Sequence, residues 1–160
     1  NVALPLELAG VSPSVIQPKV DDVLAKVSLS HAAGLYPRQL SGGMKMRAAI
    51  ARSLVTEPKL LLLDEPFGAL DEITKNRLDD ELLELWKQYK MTVVLVTHSL
   101  SEAVYLAQSI HVLAPNPGRV LETLEVSFEE RMPELRLTTP FTETVAKAHQ
   151  VLLRAEENTV

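Results

Sequence analysis

The sequence predicts an α/β protein with a mostly parallel sheet flanked by helices, and three observations support that class. Residues 60–63 and 93–96 are short unbroken apolar runs, typical of strands buried on both faces of a parallel sheet. Between them, residues 72–89 carry apolar side chains at helical spacing. Strands that alternate with helices indicate crossover connections, which join parallel strands.

The residues before the first strand are predicted to be mostly helical. Pro13 suits the first turn of a helix, and Pro18 is expected to kink or restart that helix. Residues 28–40 are expected to form a loop. Ser41 is a good N-cap for a helix over residues 42–55.

From the first strand onward, strands and helices alternate as far as residues 110–113, where a further strand follows directly. Residues 127–139 are poorly patterned and predict no regular element. The predicted elements, in order, are a strand over 60–63, a helix over 72–89, a strand over 92–96, a short helix near 101–107, strands over 110–113 and 120–126, and a final helix over 141–155.

Length and composition exclude several classes of protein. A chain of 160 residues fits one domain, and its net charge of −5 leaves no basic excess for gripping nucleic acid. The sequence has no cysteine, which excludes a disulfide framework and a thiolate zinc site. No apolar run approaches the ~20 residues of a membrane span. The first residue is Asn rather than Met, so we expect that an N-terminal part is absent.

Two acidic residues, Asp64 and Glu65, follow the first predicted strand, at the edge where ligands of parallel sheets bind. Asp64 is well placed to reach Mg²⁺ through its waters. Glu65 could orient or deprotonate a water that attacks a phosphoryl group. An acidic loop just outside the sheet explains the pair equally well.

Three further features are weak evidence of function when each is taken alone. His98 follows the second strand, where an imidazole could face a γ-phosphate, although a cap for the next helix is the simpler explanation. Gly42 and Gly43 let the backbone approach an anion at the start of a helix, although a plain N-cap at Ser41 also explains them. Asp71 ends the sequence Gly-Ala-Leu-Asp, which indicates a turn that caps the long helix.

Taken together, these features resemble one family closely. The chain resembles the nucleotide-binding subunit of ABC transporters from its start to about residue 126, because it carries, in order, Leu-Ser-Gly-Gly-Met, Leu-Leu-Leu-Leu-Asp-Glu-Pro, Gly-Ala-Leu-Asp and Val-Thr-His. The resemblance implies a partial P-loop NTPase fold, the ABC ATPase fold, with a helical signature subdomain. It assigns the signature to Ser41, Gly42 and Gly43, the Walker B magnesium carboxylate to Asp64, the catalytic glutamate to Glu65, the D-loop aspartate to Asp71 and the switch histidine to His98.

Two details refine the resemblance. Met44 stands where the signature commonly has Gln, a variant found in several importer subfamilies. Residues 101–103 and 114–119 resemble importers of the nitrate, sulfonate and taurine group. The resemblance divides the chain into a helical subdomain with the signature over 1–55, the C-terminal part of the catalytic core over 56–126 and a C-terminal extension with a helix over 127–160.

The phosphate-binding loop of this family is missing from the sequence. A P-loop requires Gly-x-x-x-x-Gly-Lys-[Ser/Thr], and none of the six glycines is followed by Lys. The resemblance therefore implies a chain truncated at the N-terminus. ATP and Mg²⁺ are cofactors of the family, but we expect this chain alone neither to bind ATP tightly nor to hydrolyse it.

The resemblance also implies partners. In the family, ATP closes two ATPase subunits head to tail, the signature of one copy meets the γ-phosphate held by the other, and closure drives a transmembrane permease subunit. Such a subunit is cytoplasmic and peripheral, on the cytoplasmic face of the inner membrane. No nucleic-acid partner is expected.

A missing P-loop strand would also affect assembly. In the family's sheet that strand lies between the strands that match residues 92–96 and 110–113. Its loss would leave Val93 to Val96 and Ile110 partly exposed and two strand edges unpaired. We therefore expect a homodimer or a swapped oligomer of this chain.

Two alternatives stay open at this point. A soluble ABC-type ATPase of DNA maintenance shares the signature and the Walker B motif, but it carries long coiled coils, and this sequence has no sustained heptads. A naturally truncated interaction module without enzyme activity would instead need a start codon at or near Asn1 in its gene.

Overall fold

The computed structural model describes residues 1–157 and forms two compact units, Asn1–Val96 and Thr97–Val160. Both units combine helices with strands, as the sequence predicts for an α/β protein, and alternation holds from α3 to β3, after which β4 follows β3 directly. Across residues 1–157, no helix has both the length and the apolar character needed to cross a membrane.

The first unit contains four helices, and their starts follow the sequence signals. Short 3₁₀ turns at Ser30–Ala32 and Pro37–Gln39 occupy the expected loop. Pro18 does not restart its helix, because Ser14 and Pro18 are both exposed and water can bond the carbonyl that proline leaves unpaired. The helices are α1 (Leu4–Leu8), which was not predicted, α2 (Pro13–Lys26), α3 (Gly42–Leu54) and α4 (Glu72–Tyr89).

Two parallel strands form the sheet of the first unit. Strand β1 (Leu60–Asp64) pairs with β2 (Thr92–Val96), and α4 is the crossover between them. The register runs from Leu60 opposite Thr92 to Asp64 opposite Val96. Partners in a parallel register share a face, so alternate residues of both strands point to the same side. The parallel pairing predicted from the apolar runs is confirmed.

The expectation that these strands are buried on both faces is wrong. The inner face carries Leu61, which is buried, and Leu63, Val93 and Leu95, which are half-buried. The outer face remains accessible in the described part of the chain. A run of apolar residues predicts a strand, but it does not determine which elements cover the faces of that strand. Its apolar side chains are Leu60, Leu62, Val94 and Val96, exposed by 51%, 68%, 49% and 52%; we call these four residues the open face.

The second unit pairs its strands in the opposite sense. Strand β3 (Ser109–Ala114) and β4 (Arg119–Glu125) form an antiparallel sheet with an irregularity between Val112 and Leu113. They belong to a separate two-stranded sheet, so the described strands comprise one parallel and one antiparallel pair. The helices of this unit are α5 (Leu100–Leu106), a 3₁₀ turn over Pro133–Leu137 and α6 (Thr139–Glu157).

Helix α6 covers one face of this antiparallel sheet. Val112, Leu124 and the α6 residue Val151 are buried together with Ala148. Phe141 at the start of α6 meets Tyr105 of α5 edge to face, with ring centroids 6.5 Å apart. The expectation that Ile110 is left partly exposed is therefore wrong, because packing of α6 on β3 buries it.

Candidate functional site

The acidic pair lies where β1 ends. Asp64 is the last residue of the strand, and the backbone N–H of Glu65 donates to the Val96 carbonyl at 2.8 Å. Glu65 has a φ of 42°, a left-handed conformation that turns the chain away from the sheet. The next two residues, Pro66 and Phe67, are buried and anchor this turn. Both carboxylates are exposed, so the cost of burying two adjacent charges does not arise.

The same turn leads directly to the cap of α4. Gly68 donates its N–H to the Glu65 carbonyl at 3.2 Å, which closes the turn. Asp71 is the N-cap, and its Oδ1 accepts the backbone N–H of Thr74 at 2.9 Å. The hydroxyl and the backbone N–H of Thr74 hold the pKa of Asp71 below its ordinary value. The capping function expected for Asp71 is present.

The Ser-Gly-Gly sequence forms the N-terminus of α3. Ser41 Oγ accepts the backbone N–H of Met44 at 3.3 Å, as an N-cap does. A Cβ placed on Gly42 would lie 3.1 Å from Leu70 Cδ2, and one on Gly43 would lie 3.4 Å from Thr74 Cγ2. The missing Cβ of Gly42 thus allows the start of α3 to approach Leu70, next to Asp71, whereas a Cβ on Gly43 would make an ordinary van der Waals contact.

An ion pair joins the two helices further along. Arg47 of α3 donates to Glu81 of α4 at 2.5 Å, and Arg77 approaches the same carboxylate at 3.3 Å. The Arg47 side chain is largely buried, so this contact limits sliding of α3 along α4. The first unit therefore brings together Ser41, the two glycines and Asp71, at the adjacent N-termini of two helices.

His98 belongs to the second unit, where its side chain is exposed. Ser99 is the N-cap of α5, and its Oγ accepts the backbone N–H of Glu102 at 3.4 Å. The N–H of Ser99 donates to Thr97 Oγ1 at 3.0 Å, and the Thr97 hydroxyl donates to the Glu102 carboxylate. The residues on both sides of His98 are therefore bonded to one another and to α5.

The structure shows contacts near the candidate site for three residues that the sequence does not predict there. Ser99 and Glu102 have the Ser-x-x-Glu spacing of a capping box, and this spacing is the sequence signal that points to Glu102. Leu70 contacts the signature only through tertiary packing. Arg131 lies in the poorly patterned segment, and its guanidinium donates to the carbonyls of Val104 and Tyr105 at 3.4 and 2.6 Å.

The donor set fits a magnesium ion that is held together with a phosphate group. Among the described residues there is no group of three or more His, Cys, Asp or Glu side chains that could hold a metal ion. Magnesium in phosphate-transfer sites is typically bound by one or two carboxylates, by waters and by the substrate phosphates. The exposed carboxylate of Asp64, at the end of β1, suits that kind of site.

The Ser-Gly-Gly start of α3 and the acidic pair after β1 are typical of ATPases that combine the P-loop NTPase fold with an ABC signature. The chain belongs to the ABC transporter family, whose sequence pattern matches residues 8–68. It is 43% identical over 159 residues to the aliphatic sulfonates import ATP-binding protein SsuB of Bacillus licheniformis, covering 99% of this chain and 59% of that protein. It is 47% identical over 131 residues to the taurine import ATP-binding protein TauB of Pseudomonas entomophila, covering 82% of this chain and 51% of that protein.

Solved structures agree with this family. The chain superimposes on cbiO1 from Clostridium perfringens, part of the ABC transporter complex cbiONQ, with a TM-score of 0.73 and 25% identity, covering 100% of this chain and 60% of that one. An inward-facing metal-chelate type ABC transporter matches with a TM-score of 0.66 and 30% identity over 72% of this chain and 45% of that one. This chain thus spans only part of the length of each of these relatives.

Proposed function

We propose that this chain is the part of an importer's ATPase subunit that carries the signature, the Walker B carboxylates and the switch histidine. The observation that carries the proposal is the close approach of Gly42, at the start of α3, to Leu70 in the turn that runs from Glu65 to Asp71. The sulfonate and taurine importers named above favour a small organic sulfonate as the transported solute.

Each candidate residue has a distinct role in this proposal. ATP supplies the phosphoryl group, and magnesium neutralises charge on its phosphates. Asp64 would hold the magnesium ion when it is bound, and Glu65 would take a proton from the attacking water. His98 donates a hydrogen bond toward the γ-phosphate. Ser41 and the two glycines present backbone N–H groups at a helix N-terminus to a phosphate bound by a second copy.

The proposal extends to organisation and partners. We assign residues 1–55 to a helical subdomain that meets a permease, 56–126 to the catalytic core and 127–160 to an extension. Two ATPase subunits act head to tail on a transmembrane permease, at the cytoplasmic face of the inner membrane. The open face supports the further proposal that the 160-residue chain by itself associates with a second copy, because it exposes four apolar side chains on one sheet.

The first test uses the 160-residue chain alone. Its sequence holds no Gly-Lys pair to cradle phosphates, so we expect no hydrolysis of Mg-ATP above background and no tight binding of ATP. Turnover is followed by phosphate release, and binding by calorimetry. Saturable binding at micromolar ATP would contradict this expectation.

The second test supplies the remaining segment. The 160 residues replace the aligned residues of the Bacillus licheniformis relative, giving a chimera. Glu65→Gln in the chimera keeps the shape of the side chain but removes the base, so turnover should fall ~10²–10⁴-fold while ATP still binds. Glu84→Gln, an exposed carboxylate on α4, is the matched control. If Glu65→Gln and the control turn over at the same rate, Glu65 is not the base.

The third test addresses the shared site. Replacing Ser41 removes the α3 cap that we place against the phosphate of the other copy. In mixed dimers with one Ser41→Ala copy, the site completed by the altered copy should lose turnover while the other site keeps it. Equal loss at both sites would argue for a general folding effect instead.

A further inference from the structure

We propose that buried Glu102 is a positioning residue for His98, acting through the hydroxyl of Thr97. Glu102 has only 3% of its surface exposed, and nothing in the proposed hydrolysis uses its carboxylate. The inference rests on the proposed function insofar as His98 contacts a phosphate. The local geometry that it describes can be tested without any nucleotide.

Three hydrogen bonds form a relay around His98. The Ser99 N–H donates to Thr97 Oγ1 at 3.0 Å, and the Thr97 hydroxyl in turn donates to a Glu102 carboxylate oxygen. The backbone N–H of Glu102 donates to Ser99 Oγ at 3.4 Å. The residues before and after His98 are thereby fixed relative to each other, which leaves the histidine backbone little freedom.

A buried carboxylate at this position is costly unless it is hydrogen-bonded. In an ordinary capping box the glutamate bonds the N–H of the cap residue itself. Here the N–H of Ser99 bonds Thr97 instead, and Glu102 bonds the Thr97 hydroxyl. The hydroxyl thus extends the cap by two residues toward the N-terminus, which includes His98 within the constrained segment.

The helix that carries Glu102 is held at its other end as well. The Arg131 guanidinium donates to the carbonyls of Tyr105 and Val104 in the last turn of α5, and to the Val126 carbonyl at 3.2 Å. Burial lowers the pKa of Arg131, yet the group stays charged because the ordinary pKa of arginine is far above neutral. Glu102 therefore acts from a fixed helix rather than from a mobile one.

The hydrogen-bonding capacity of each replacement side chain predicts how strongly each variant perturbs the segment around His98. Thr97→Val keeps the shape of the side chain but removes the hydroxyl, so it breaks two bonds of the relay. Thr97→Ser keeps the hydroxyl and should retain both. Glu102→Gln still offers a carbonyl oxygen to the Thr97 hydroxyl and should perturb the segment less than Thr97→Val does.

The first measurement is hydrogen exchange of the Ser99 amide in the 160-residue chain. Thr97→Val should accelerate that exchange about tenfold, since the amide loses its acceptor, whereas Thr97→Ser should stay within about twofold. The matched control is Thr123→Val, which removes a hydroxyl that lies 2.9 Å from another histidine nitrogen, Nδ1 of His111 in the same unit. Unchanged exchange of Ser99 in Thr97→Val overturns the proposal.

The second measurement uses the chimera and asks whether the relay acts through His98. Thr97→Val should lower kcat about tenfold with little change in the KM for ATP, and Thr97→Ser should restore it. In a His98→Ala background, Thr97→Val should have no further effect, whereas a loss of general stability would lower kcat again. An additional loss in that background overturns the positioning role. If His98→Ala itself leaves kcat unchanged, the proposed role of His98 fails, and the exchange result alone decides whether the relay exists.

Discussion

Each of the two sheets of this protein has one covered face and one exposed face, and the two exposed faces differ in composition. In the second unit, α6 buries Ile110, Val112 and Leu124 of the β3–β4 sheet. In the first unit, every outward side chain of the β1–β2 sheet is exposed, including the four residues of the open face. The exposed residues of the β3–β4 sheet include polar His111 and Thr123 beside Leu113 and Val120, whereas the open face of the β1–β2 sheet is a continuous apolar surface. Apolar strand composition therefore predicts a sheet, while neighbouring elements determine which of its faces become core.

The turns that follow strands β1 and β2 also differ. The turn after β1 carries Asp64 and Glu65 on an exposed surface, anchored beneath by Phe67. The turn that begins at Thr97 is fixed by a buried carboxylate instead, and α5 is capped at its far end by Arg131. In both cases the side chains proposed for chemistry are exposed, and buried neighbours hold the backbone that carries them.

The largest expected effect comes from matched lysine substitutions in the two sheets. Val112→Lys places an ammonium group in the core of the second unit and should cost several kcal/mol, enough to unfold that unit. At protein concentrations low enough to keep the chain monomeric, Val94→Lys on the open face should change the free energy of unfolding by less than about 0.5 kcal/mol. Urea unfolding followed by circular dichroism compares the two variants. Equal destabilisation of the monomer would show that another part of the same chain covers the open face.

The second expected effect concerns association through the open face. The unmodified chain should be oligomeric in light scattering, and the double variant Leu62→Lys/Val94→Lys should shift it toward monomer, because charge opposes burial of that face. Leu137→Lys, at another exposed apolar residue, is the control and should leave the mass unchanged. A monodisperse monomer of the unmodified chain would refute the association.

A smaller effect is expected from the cap of α5. Arg131→Met keeps much of the apolar length but leaves the carbonyls of Val104, Tyr105 and Val126 without this donor. The second unit should lose about 1–3 kcal/mol of stability in thermal unfolding. Arg154→Met removes a more exposed arginine that pairs with Glu122, and it should cost less than about 1 kcal/mol. Equal losses would mean that the hydrogen bonds of Arg131 contribute no more stability than the ion pair of Arg154.

The smallest effect concerns the cap of the crossover helix α4. Because the pKa of Asp71 is lowered in the fold, its contribution to stability is present above the unfolded pKa of about 3.9 and is lost as pH falls through the folded value. Asp71→Asn caps a helix about as well but does not titrate. The stability advantage of the unmodified chain over Asp71→Asn should therefore shrink as pH falls from 6 to about 3 in urea titrations. A constant difference would show that the carboxylate charge does not matter.

The sequence by itself determined most of the element boundaries. Helix α4 and strand β2 begin and end where periodicity predicted, and β1 extends only one residue further. Ser41 and Asp71 cap their helices as expected. These features follow from local chemistry: helical spacing, cap residues and short apolar runs act over a few residues and need no distant partner.

The tertiary structure alone decided which apolar faces become core and which backbone groups receive distant donors. It covers Ile110 with α6 and leaves Leu62 in solvent, although both are apolar residues within strands. It also brings Leu70 against Gly42. In addition, it places the guanidinium of Arg131, from a segment with no predicted element, at the carbonyls that end α5. Such contacts join residues that are far apart in the chain. The free energy of each contact depends on which residues the fold brings next to it, and a local sequence pattern does not contain that information.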